Sequence, residues 1–146
     1  MGYTVTILQV APQWIAAARG RASKNEISQV MLGLLGKGWD FVKQSGIKND
    51  GQNVAIYRGD ADGVMIAAGP RVFEKFEGDC VATPSGLAAT TIHMGPYELL
   101  GNAHAAIREW CKANGHELEG TNWEIYGHHE EDPARRRTDV FYLLRS

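Results

Sequence analysis

Apolar positions along this chain follow two periods that alternate in order. "YTVTILQV", continuing past Pro12 through "WIAAA", is rich in β-branched residues with partial alternation, which predicts a strand running from Tyr3 to Val10 and on beyond the proline. From Asn25 to Gln44, Ile27, Val30, Met31, Leu34, Leu35, Phe41 and Val42 recur at helical spacing and predict an amphipathic helix. Gly33, Gly36 and Gly38 oppose it, each by about 1 kcal/mol relative to alanine, and Gly46 stands where a C-terminal cap would end it. "NVAIYRG" and "GVMIAAG", joined by "DADG", read as two strands and a turn. The order then returns. "CVATPSGLAATTIH" is a strand interrupted at Pro84, and "GPYELLGNAHAAIREWCKANG" is a helix with Pro96 and Glu98 in its first turn and Gly115 as terminator. Leu100, Ala103, Ile107, Trp110 and Cys111 form its buried stripe, and "NWEIY" and "DVFYLL" are the closing strands.

The recurrence extends to particular residues. Asn53, Ile56 and Tyr57 return as Asn122, Ile125 and Tyr126, and Phe41 and Gly46 as Trp110 and Gly115, each 69 positions on. Pro12 with Ala16 and Ala17 returns as Pro84 with Ala88 and Ala89 at an offset of 72. That period is too long for a solenoid and points to duplication of one supersecondary unit. The expected fold is α+β: one domain over 1–146, with pseudo-repeats 1–77 and 78–146. Two strand–helix–strand–strand units give a largely antiparallel sheet with both helices on one face, the other face open, and a groove between the halves.

Composition narrows the class. A chain of 146 residues is one domain's length, and a net charge of −2 gives no electrostatic grip on nucleic acid. Cys80 and Cys111 lack zinc-site spacing and fit reduced thiols in a cytoplasmic protein. No stretch is long enough to span a bilayer, and Gly2 with Thr6 matches only a short lipidation pattern inside an expected strand. Adjacent His128 and His129 do not assemble a metal site, Arg135–Arg137 reads as a solvated charge cluster, and "GLLGKG" lacks P-loop spacing. Neither metal nor cofactor is expected.

Candidate chemistry gathers in "TNWEIYGHH". Strand alternation sends Trp123 and Ile125 to one face and Asn122, Glu124 and Tyr126 to the other. Glu124 either lies on a solvated face or lines a groove that wants negative charge beside aromatic rings. It has no counterpart in the first unit, where its position holds Ala55. In a groove, its burial costs several kcal/mol unless it is paired, and a cationic ligand would offset that, with about 0.5–2 kcal/mol more from an aromatic face. His93, in "HMGPYE", is a general base or a backbone hydrogen-bonding group, and Tyr97 a groove donor or a core residue. Trp39, Tyr57, Tyr126 and Tyr142 are the other candidate wall aromatics, with Trp123 a further ligand-contact candidate.

"HMGPY", Trp110 near a helix end, "WEIY" and "TDVFYLL", in that order, resemble the GyrI-like small-molecule-binding family, the ligand module of AraC- and MerR-type multidrug regulators. "VTILQVAPQWIAA" extends the resemblance over the first half. It implies an aromatic groove between the halves with an acidic residue at its base, which maps onto Glu124. The implied partner is a small lipophilic molecule, cationic or planar, with no nucleic acid bound directly, no membrane, and a homodimer left open. Three functions follow: a stand-alone binding protein; a hydrolase opening cyclopropane-type toxins, with Glu124 as acid/base and Tyr97 as donor; or an inhibitor of a partner such as DNA gyrase.

Overall fold

A computed structural model describes residues 2–145; Met1 and Ser146, the ends of the expected domain, lie outside the described residues. The chain order is β1 (Thr6–Val10), β2 (Trp14–Ala16), β3 (Arg19–Ala22), α1 (Ile27–Ser45), β4 (Asn49–Asp60), β5 (Gly63–Val72), β6 (Cys80–Ala82), β7 (Gly86–Met94), α2 (Leu100–Ala113), β8 (Leu118–Tyr126) and β9 (Arg137–Leu144). The expected opening strand is two strands broken at Pro12, and the one expected after Cys80 breaks at Pro84 in the same way. The second helix is shorter than its segment, because Tyr97–Leu99 forms a separate 3-10 turn ahead of it. β3, "RGRA", carries no apolar alternation and was not expected; it forms by pairing along β5 from Ala22↔Val64 to Arg19↔Ala67.

All strands join one antiparallel sheet in the order β1-β7-β9-β8-β4-β5-β2-β6, with β3 also on β5. The order reads alike from both ends. Each unit contributes a three-strand block, β7-β9-β8 or β5 flanked by β2 and β4, and lends its first strand to the other: β1 lies on β7 and β6 on β2. At the centre, β4 pairs with β8 so that Ala55 faces Glu124, its own counterpart 69 positions on. The pseudo-two-fold axis therefore passes between these two residues. Directly opposed like charges destabilise a sheet, so an acid in both halves at this position would be unfavourable.

Both helices pack on the face that carries Glu124. Leu34 of α1 lies with Ala55, Ile66 and Ala68; Ala103, Ile107 and Cys111 of α2 lie with Ala89, Val140 and Tyr142. Gly46 closes α1 in the left-handed region at φ 71°, its N–H on the Val42 carbonyl. Trp110, expected on the buried stripe, is half-buried at the end of α2 and stacked on His116. The opposite face, expected to be open, holds a second core. The sheet curls so that Val10, Ile15 and Val81 from its two ends meet Val54, Ala88 and Trp123 from its middle.

The α1 glycines divide by what surrounds them. A Cβ at Gly33 or Gly36 would meet nothing within 4 Å, so neither position needs glycine. Gly33→Ala and Gly36→Ala should each stabilise the protein by about 0.5–1 kcal/mol through helix propensity alone, read as a rise in denaturant midpoint. A fall in either would mean that the glycine has a role outside helix packing.

Candidate functional site

The helices sit over opposite ends of the sheet and leave its central strands as the floor of a cavity of about 800 Å3. Ile27, Met31, Leu32 and Leu35 of α1 form one wall, Leu100 and His104 of α2 with Tyr97 form the other, and Asn53, Tyr57, Asn122, Glu124, Tyr126 and Tyr142 line the floor. The wall residues of α1 lie beside its packing stripe, at the edge left uncovered where the helices diverge. Leu32 and Tyr97 are exposed at the mouth.

Glu124 is 5% exposed. Among the described residues it is the only carboxylate that lines the cavity, and no lysine or arginine does. Two groups hold it. The Tyr126 hydroxyl donates to Oε1 at 2.5 Å, and His104 Nε2 lies 2.6 Å from Oε2. His104 Nδ1 is 2.7 Å from the Tyr142 hydroxyl, which also accepts from Arg108 Nη1 at 3.0 Å. Burial, and then the negative charge of Glu124, push the pKa of Tyr57 up. Tyr126 is raised for the same two reasons, with Tyr57 adding to them; burial raises Tyr142, against the pull of Arg108. All three phenols are therefore hydrogen-bond donors at neutral pH. Tyr97 meets Tyr126 edge-to-face at 6.1 Å, and the Arg136 guanidinium stands 5.4 Å over the Tyr97 ring.

Of the residues singled out from sequence, Tyr57, Tyr97, Glu124, Tyr126 and Tyr142 meet in this cavity. Three lie elsewhere. Trp123 points to the other face, as alternation requires, and stacks on Phe141 at 5.1 Å. Trp39 donates through Nε1 to Asn53 Oδ1 at 2.6 Å, so it buttresses a floor residue from outside. His93 is 2% exposed and bridges the Tyr3 hydroxyl and the Pro96 carbonyl at 2.8 and 3.1 Å, tying the N-terminal segment to the turn that carries Tyr97. His104 was not singled out. Its signal was its place beside Ala103 on the apolar stripe of α2, with Arg108 one turn on, a polar pair on the sheet-facing edge of a helix.

Among the described residues, no group of three or more histidines, cysteines or acids is placed to hold a metal ion. Cys80 and Cys111 are free. No described helix is long and apolar enough to cross a membrane.

No protein-family model and no curated protein sequence matches the chain. Solved structures do. The C-terminal domain of EcmrR superposes over 100% of this chain and 99% of its own at TM-score 0.75 and 20% identity. EcmrR bound to DNA matches over 99% of this chain at TM-score 0.76 and 20% identity, and the chain spans 58% of that longer protein. SAV2435 bound to tetraphenylphosphonium matches over 100% of this chain and 95% of its own at TM-score 0.65 and 10% identity. A hydrolase from Listeria innocua matches over 99% and 93% at TM-score 0.62 and 11% identity. These likenesses define the class by architecture: an α+β protein of curled antiparallel sheet and two helices. The chain has the GyrI-like fold.

Proposed function

We propose that this protein captures small lipophilic cations in the cavity between its helices, with Glu124 as counter-charge. The observation that carries the reading is Glu124 itself: a carboxylate 5% exposed, alone of its kind in a cavity lined by aromatic and aliphatic side chains. A cavity of about 800 Å3 suits a drug-sized ligand. Tyr57, Tyr126 and Tyr142 present ring surface around the acid, and a desolvated cation over an aromatic face gains about 2 kcal/mol. The neighbour bound to tetraphenylphosphonium supports the same chemistry. An entering cation would meet no competing lysine or arginine on the lining.

A second reading, hydrolysis of an electrophile, is favoured by one observation: Tyr126 and His104 lie within hydrogen-bond distance of the same buried carboxylate. Such a set can pass a proton from an attacking water and return one to a leaving carbon. A hydrolase from Listeria innocua is among the structural neighbours. The inhibitor reading has no comparable feature behind it.

The test pairs charge with shape. Tetraphenylphosphonium and triphenylphosphine oxide, a smaller neutral aryl compound, are titrated into the protein, and a cyclopropane-bearing electrophile is followed by mass spectrometry. Capture predicts that the cation binds at least about tenfold more tightly than the oxide, the worth of one charged partner, and that ring-opened product never exceeds the protein. Equal affinity for both aryl compounds would remove the counter-charge role. Product in catalytic excess would place the hydrolase reading first.

A further inference from the structure

The carboxylate at the cavity floor is one end of a hydrogen-bonded chain whose other end is outside the cavity. Arg108 Nη1 donates to the Tyr142 hydroxyl oxygen at 3.0 Å. That oxygen is 2.7 Å from His104 Nδ1, and His104 Nε2 is 2.6 Å from Glu124 Oε2. Both ends have fixed polarity, because a guanidinium only donates and a carboxylate only accepts. The phenol oxygen already accepts from Arg108, so the hydroxyl proton is free to go to Nδ1, which then carries none. The ring proton sits on Nε2 and points at Glu124. A doubly protonated imidazole would instead aim a second cationic donor at the oxygen that Arg108 already occupies, and the hydroxyl proton would lose its acceptor.

We infer that Arg108, a residue that does not line the cavity, fixes His104 through Tyr142 in its neutral Nε2–H form and so keeps the charge of Glu124 available to a cationic ligand. Arg108 is a positioning residue. Were His104 an imidazolium, it would neutralise Glu124 internally, and a cation would enter a pocket with no net charge. The groups facing His104 are consistent with this arrangement. Glu124 and Tyr126 come from β8, Tyr142 from β9, Tyr57 from β4 and Arg108 from its own helix. Glu124 is the only acid among them, and each of its oxygens has one partner, Tyr126 on Oε1 and His104 on Oε2, which leaves acceptor capacity on both.

The inference rests on the capture reading, yet part of its test needs no ligand. Full-length protein labelled with 15N-histidine is examined by long-range proton–nitrogen correlation at neutral pH, with His104 assigned by its loss in His104→Gln. The parent should show His104 with a proton on Nε2 and a bare Nδ1. Arg108→Met removes the donor at an exposed position, and Nδ1 should become protonated in a measurable fraction. Tyr142→Phe should do the same with Arg108 present. In parallel, Arg108→Met should weaken tetraphenylphosphonium binding by about tenfold, while triphenylphosphine oxide binding holds. A parent imidazole protonated on Nδ1, or one unchanged in Arg108→Met, overturns the inference. If the imidazole responds as expected but tetraphenylphosphonium binds neither protein, the proton arrangement stands and the capture reading fails. If the cation binds the parent and Arg108→Met equally, the link from Arg108 to ligand charge is overturned alone.

Discussion

Gly69→Ala should be the most damaging single methyl group that can be added to this protein, costing about 3 kcal/mol or more, at the upper end for overpacking. A Cβ there would lie 1.8 Å from the Ala16 carbonyl oxygen and 2.8 Å from its carbon. Both are backbone atoms, so no side chain can rotate away, and β2 would have to separate from β5. The same junction seats α1: a Cβ at Gly38 would lie 2.4 Å from the Ala16 oxygen and 2.9 Å from Pro70 Cδ. Gly38→Ala therefore sets two effects against each other. Helix propensity gains about 1 kcal/mol and the clash costs about 1–3, so the net should be a loss. Equilibrium unfolding of the two variants reads this directly. A Gly69→Ala protein as stable as the parent would mean that β2, α1 and β5 do not meet as closely as described.

Those glycines show where sequence reasoning stops. Helical spacing located α1 from Ile27, Val30 and Leu34, and the glycines counted only as weak points within it. Propensity assigns Gly33, Gly36 and Gly38 one cost, yet only Gly38 touches the sheet, and that contact is set by β2 and β5, which are remote in sequence. The 69-residue offset revealed the duplication but not the exchange of arms, because the pairing of β1 with β7 and β6 with β2 is a tertiary choice between equivalent edges. β3 was hidden for a related reason: "RGRA" has no period of its own and is a strand only because β5 offers it an edge. The second core around Trp123 was likewise out of reach, since alternation fixes which way a side chain points and not whether the sheet curls to cover it.

At the site, alternation placed Glu124 and Tyr126 together and Trp123 opposite, and the break in the repeat picked out Glu124 by its charge. That the break falls on the symmetry axis needed the strand register. The aromatics divided by strand geometry. Tyr57, Tyr126 and Tyr142 share the cavity face, while Trp39 sits on α1 one layer back, against Asn53. His93 and His104 could not be ranked from composition, since both are histidines near helix α2. What separates them is reach: His93 is tied to Tyr3 and Pro96, and His104 to the carboxylate.

Glu124→Gln preserves the shape of the floor and removes its charge, so it isolates the central claim. In the folded parent the carboxylate accepts from Tyr126 and lies against His104; a glutamine can accept from Tyr126 through its amide oxygen, while its amide nitrogen would turn a donor toward His104. Stability should change little, because the weaker hydrogen bonding of the amide is offset by the removal of a buried charge. Binding should not be spared. Loss of a charged partner in a desolvated site is worth about 1.5–3 kcal/mol, or about 10- to 150-fold in affinity. The direct measurement is calorimetric titration of tetraphenylphosphonium into the parent and Glu124→Gln proteins at neutral pH, with triphenylphosphine oxide as the uncharged reference. The variant should lose at least about tenfold in affinity for the cation and keep its affinity for the oxide. A Glu124→Gln protein that binds the cation as tightly as the parent does would contradict the counter-charge role of Glu124.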